Sequence, residues 1–383
     1  MSFIPKIFSE DRNAKRKNTG GVCIYYSDME KEKKTGFVKT FCTLVGTVVG
    51  AGFVSGAELV RFFPENGFAA YAYLAAILFF FGFALLFACG RRFGGFEGLM
   101  QAAFGRLAPA VRALVLACSL IICAGMLAGL DSVMYEGFSV PKYLPVLSVT
   151  VLIAVYFLCD KGIGAIGVVN ACLVPAILLF VAWLACGDLN FGGAYSTEES
   201  FRNMTDVFLY AGMNVFLAAP IACDLGARAK KTGISACAAA SAVVGISIAV
   251  ILATIFAAAG ISADVPLLSA IGGGVAGKLF SAVSAFGIVT TLFSAYYPLH
   301  ERARASSHPR IGRILVCMAA FGLSRMGLRT IVSHVYPLLG GAGLLFLAVC
   351  VFAVFQAAHG RTFVVRVKKC RVRSSQKMLK NIV

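Results

Sequence analysis

Residues Gly46 to Phe63 read GTVVGAGFVSGAELVRFF, and the groups there that could do chemistry belong to the main chain. Gly46, Gly50, Gly52 and Gly56 fall within eleven positions of a long apolar segment. Each glycine weakens a helix by roughly 1 kcal/mol relative to alanine. Such a cluster at membrane depth either packs helices very closely or breaks one. Where a helix unwinds, amides and carbonyls lose their intrahelical partners. Half-helix N-termini then present amides to an anion, and unwound carbonyls can coordinate a cation. A broken helix at that depth survives only where it lines a cavity. Gly50, Ala51 and Gly52 are small enough to let a ligand approach the main chain.

Few polar side chains accompany them. Glu58 lies inside the same apolar window, and a carboxyl there is costly unless paired or wet. It reads either as a coupling or gating group or as an ion pair with Arg61 near the outer surface. A second unusual segment, FLYAGMNVFLAAPIACDLG, holds Gly212, Asn214 and Pro220 within nine residues. Pro220 removes a backbone donor, and Asn214 offers an amide to a substrate or across helices. Thr290 and Thr291 are adjacent hydroxyls in SAVSAFGIVTTLFSAYYPL. They either bond back to their own helix or serve as hard oxygen ligands for Na⁺. Tyr210, Tyr296 and Tyr297 read as path-lining or interface-anchoring residues, and Asp224 with Arg228 as a cytoplasmic ion pair or inner gate.

The elements that must position these groups are membrane spans. The chain is 59% hydrophobic, with a mean hydropathy of +0.84. Apolar windows fall at 37–63, 68–90, 111–135, 143–159, 162–186, 204–222, 234–260, 270–298, 311–324 and 329–356. The ninth is short against the about 20 residues a span needs. Loop charge gives the same count. Lysine and arginine crowd every second loop, as in Arg91 and Arg92, Arg228 to Lys231, and Arg302 to Arg313. The alternate loops carry Glu65, Asp131 and Glu136, or Asp188 to Glu199. The positive-inside rule then places both termini in the cytoplasm, with Arg325 and Arg329 as exceptions.

The net charge of +17 is therefore a topology signal and not a nucleic-acid footprint. Several basic residues beside the last span also fit anionic lipid head groups. Thirteen cysteines without metal spacing or paired histidines indicate buried thiols, with no metal site beyond a possible Na⁺ ion and no cofactor. No nucleophile–base pair or phosphate loop suggests an enzyme. No repeated charge ring suggests a channel filter.

The interrupted spans are the first and the sixth of ten, the same position in two five-span halves. Five is odd, so the second half enters the membrane from the opposite side, as in an inverted repeat. Three domains follow: a polar basic segment over 1–35, a transmembrane domain over 36–358 and a basic tail over 359–383.

The GTVVGAGFVSGAELVRFF segment resembles the first span of bacterial YkvI-type membrane proteins, relatives of the amino acid–polyamine–organocation transporters. Tyr210–Leu225 and Gly327–Leu345 (GLRTIVSHVYPLLGGAGLL) resemble that family also. The likeness implies an all-α polytopic protein of the LeuT type, with a 5+5 inverted repeat and breaks in spans one and six. It implies a bacterial cell membrane location and transport of amino acids or similar small metabolites coupled to Na⁺ or H⁺. The substrate residues it implies are Gly50, Ala51, Gly52, Phe53, Ser55, Tyr210 and Asn214. The ion-binding or coupling residues it implies are Val49, Gly50, Glu58, Thr290 and Thr291. Ala57 departs from the family, whose members carry a polar residue before the glutamate. The resulting expectation is a secondary carrier working by alternating access; its rival is a membrane sensor using the same site without translocation.

Overall fold

The computed structural model describes residues 36–141, 145–187, 200–228, 233–258 and 265–358. The expected segments 1–35 and 359–383 lie outside the described residues. Among the described residues every regular element is helical. Lipid offers no hydrogen bonds, so each apolar segment must satisfy its own main chain, and a helix does this within one segment.

Among the described residues seven helices are long and apolar enough to cross a membrane. They supply the expected spans two (Phe68–Phe93), three (Ala108–Phe138), five (Ile163–Leu184), six (Ser200–Arg228), seven (Gly233–Ala257), eight (Gly274–Arg304) and ten. Span ten runs from Leu328 to Ala358. The other three expected spans are short or interrupted: one (Phe37–Val48, Ala51–Ser55, Ala57–Phe62), four (Val146–Leu158) and nine (Pro309–Ser324). The chain is a multi-pass membrane protein with large apolar side chains such as Phe81, Leu179, Leu345 and Phe352 facing outward.

Two devices bring main chains together around span six. Facing span two, a methyl group on Gly82 would lie 2.7 Å from Val215, and one on Gly226 would lie 2.7 Å from the Phe87 carbonyl oxygen. Facing span ten, a methyl on Gly212 would lie 3.0 Å from the Gly340 carbonyl oxygen. Glycine here permits close helix packing, the usual way helices associate in lipid.

The expected break in span six is not formed: one helix runs from Ser200 to Arg228 with Pro220 inside it. Pro220 has no N–H for the Phe216 carbonyl, yet neighbouring helices hold such a helix together. The Asn214 Nδ2 donates to the Tyr210 carbonyl at 3.0 Å, which pins the turn before the proline. Gly212 serves packing. The interruption in span one therefore has no counterpart in span six.

Candidate functional site

Span one ends its first helix at Val49, whose ψ of 78° leaves the helical region. Gly50 is extended, and a short helix follows over Ala51–Ser55. Gly56 then adopts φ 83° before Ala57–Phe62 resumes. That left-handed conformation favours glycine, and a methyl there would also collide with Ile255. Span one is thus interrupted twice.

The first interruption frees a carbonyl. The Gly50 amide donates to the Val48 oxygen at 2.9 Å and not to Gly46, its partner in a regular helix. The Gly46 oxygen accepts instead from the Thr291 hydroxyl of span eight at 2.8 Å. Thr290 Oγ1 donates back to the Gly287 carbonyl at 2.8 Å. Gly287 lets the two spans touch, since a methyl on it would lie 3.3 Å from the Val49 oxygen. Carbonyls of span one and hydroxyls of span eight therefore share one small region.

A cavity opens beside this region, lined from spans one, three, six, eight and ten. Gly50, Glu58, Met126, Asn214, Thr291 and Tyr336 contribute to it. Its volume of about 20 Å³ holds a water-sized group. Glu58 is its one charged lining residue, and the side chain is only 3% exposed. No cationic side chain among the described residues reaches its carboxyl. Arg61, its expected partner, turns outward to Asp206, with Nη1 to Oδ2 at 4.0 Å. The Tyr336 hydroxyl faces the carboxyl but forms no hydrogen bond of regular geometry. Tyr336 directly follows a π-helical turn, Ile331–Val335. Such turns re-aim a side chain and recur at functional sites.

Of the residues expected from the sequence, the cavity gathers Gly50, Glu58, Asn214 and Thr291. Phe53 and Ser55 are buried elsewhere; the Ser55 Oγ accepts from the Ala57 amide at 3.3 Å. Ala51 and Gly52 begin the short helix of span one. Tyr210, expected at a broken segment, is a buried helical residue whose ring packs on Phe62, Phe63 and Phe79. Thr290 stands beside the cavity, and Val49 offers its carbonyl toward span eight. Sequence reasoning missed Met126 and Tyr336, and it pointed to the span-one carbonyls without singling out that of Gly46. Tyr336 sits inside a motif that resembled the family, but nothing in its type marks it as cavity-lining. Asp224 forms a local cap: its Oδ1 accepts from the Phe96 amide at 2.9 Å, holding the helix Phe96–Phe104 beside span six.

No family model and no curated protein sequence matches the chain. Solved structures do match in fold. The chain is similar to MhsT, solved in complex with L-phenylalanine, at 15% identity and a TM-score of 0.61, covering 85% of this chain and 93% of that one. It is similar to Mhp1, a nucleobase-cation-symport-1 family transporter solved with bromovinylhydantoin. There the identity is 16% and the TM-score 0.56, over 87% of this chain and 80% of that one. A manganese transporter from Eremococcus coleocola, mutant H236A, matches at 12% identity and a TM-score of 0.51, over 90% and 82%. The fold is therefore the LeuT-type transporter fold.

Proposed function

We propose that the chain is a secondary active transporter of amino acids or similar small metabolites, coupled to a cation and working by alternating access. One observation carries this reading: a small cavity sits at the interruption of span one, at the meeting of five spans, with a buried carboxyl that no cationic side chain among the described residues reaches. The cavity is too small for an amino acid as it stands. Binding then requires the spans to move apart, which is the motion a carrier uses. The solved relatives bind small organic molecules, which supports the substrate class.

The residues that would hold Na⁺ are Gly46 and Val49 through their carbonyls and Thr290 and Thr291 through their hydroxyls. This donor set is neutral and all oxygen, which suits a hard cation. A bound cation would favour whichever conformation brings spans one and eight together, and so would link its own gradient to substrate movement. Glu58 is assigned to coupling or gating.

Two measurements test the reading together. The purified protein is screened for thermal stabilisation by amino acids and small amines, in NaCl and in choline chloride. A ligand at 100 times its Kd stabilises by about 2.7 kcal/mol. Hits are then tested for uptake into proteoliposomes under a Na⁺ or a proton gradient. Gradient-driven uptake is expected. Binding with no flux would replace the carrier by a membrane sensor using the same cavity.

A further inference from the structure

Asn170 stands in the middle of span five, and its side chain is fully buried. Neither Nδ2 nor Oδ1 has a hydrogen-bond partner. A buried amide with both ends unmet is rare and calls for an explanation. Its location supplies one. A methyl on Gly46 would lie 2.9 Å from Asn170 Nδ2 and 3.2 Å from Thr290 Cβ. The amide therefore packs against the residue whose carbonyl leaves the helix, beside Thr290 of span eight. Amide oxygen and nitrogen are assigned from their partners, and with none present either end can face Gly46.

We propose that Asn170 is a ligand of the coupling cation, adding its Oδ1 to the Gly46 and Val49 carbonyls and the Thr290 and Thr291 hydroxyls. This rests on the cation-coupled reading above. It adds a third span to the site, so that cation binding holds span five against spans one and eight. A neutral amide keeps the donor set uncharged, which favours a monovalent over a divalent ion. A packing role explains the residue poorly. An apolar side chain would occupy the position without burying two unmet polar atoms.

The test measures the thermal midpoint of the full-length detergent-purified protein against NaCl concentration, with choline chloride holding ionic strength constant. No substrate or transport is needed. Wild type is expected to gain stability with Na⁺. Asn170→Leu should need at least about tenfold more Na⁺ for half the effect, measured from its own midpoint in choline. Asn170→Asp should respond at lower Na⁺ and acquire a response to Ca²⁺. That variant also serves if Asn170→Leu does not fold. An unchanged Na⁺ response in either variant overturns the proposal and leaves the cation site of spans one and eight intact. No Na⁺ response in wild type overturns both. Ligand binding without uptake overturns only the carrier.

Discussion

Glu58 lies where its type is least comfortable, in a cavity that no cationic side chain among the described residues lines. Its contribution should therefore show in function more than in folding. Glu58→Gln is expected to fold normally and to lose most uptake, or to lose its pH dependence; normal transport with a normal pH profile would remove Glu58 from the mechanism. Thr291 and Thr290 make a sharper pair, because they differ in what they satisfy. The Thr291 hydroxyl is the partner of a carbonyl that span one has released. Thr291→Val leaves that carbonyl unpaired in a buried place, at a cost of about 1–3 kcal/mol. Thr290 bonds back within its own helix, so Thr290→Val should cost well under about 1 kcal/mol. Thermal midpoints in choline chloride separate the two. Both changes should weaken the Na⁺ response, and an unaltered response in both would dismiss the hydroxyls as ligands.

At the scale of elements, two local irregularities aim the site. Gly56 holds a left-handed turn between the pieces of span one. Gly56→Ala carries backbone strain of about 1–2 kcal/mol and a clash with Ile255. Lower expression and a lower thermal midpoint are expected, and an unchanged midpoint would show that the turn is not strained. In span ten the π-helical turn Ile331–Val335 carries one residue more than an α-helical turn. Deleting Ser333 should convert it to regular helix and swing the residues on its N-terminal side by about 100° relative to Tyr336. Circular dichroism should then show intact helix while ligand-induced stabilisation disappears; retained stabilisation would deny the turn a role. Span six teaches the opposite lesson. Gly212, Asn214 and Pro220 read as a break, yet the glycine serves contact with span ten and the amide bonds within its own helix.

Across the whole molecule, charged residues outside the cavity fasten spans at each end. Asp131 of span three pairs with Arg325 at the end of span nine. This neutralises one of the two arginines that break the loop-charge alternation. At the other end Asp160, after span four, accepts from Arg313 of span nine at 2.6 Å. The same oxygen bonds the buried His300 of span eight at 3.1 Å. Arg313 also stacks over Tyr156, 4.9 Å from the ring centre. Asp160→Asn should leave the arginine without its counter-ion and lower stability by about 0.2–1 kcal/mol, read as a slightly lower thermal midpoint. If all ten expected spans cross, the termini share a side, and the loop charges make it the cytoplasm; reporters at the two termini test this, and opposite sides would make the number of crossings odd.

The sequence alone determined the class of this protein and most of its frame. Lipid forces long apolar segments into helices, and the loop charges count them, so the spans and the interruption near Gly50 were legible from residue type and spacing. The sequence also marked Glu58 and the adjacent Thr290 and Thr291, because polar groups stand out in apolar windows. Only the tertiary structure decided which of these meet. Whether Gly212 and Pro220 break a helix or pack one depends on spans two and ten lying against them. Whether Glu58 pairs with Arg61 depends on the direction each faces, and they face apart. Tyr336 carried no mark of its own, and the roles of the Gly46 carbonyl and the mid-span Asn170 come from neighbours more than a hundred residues away.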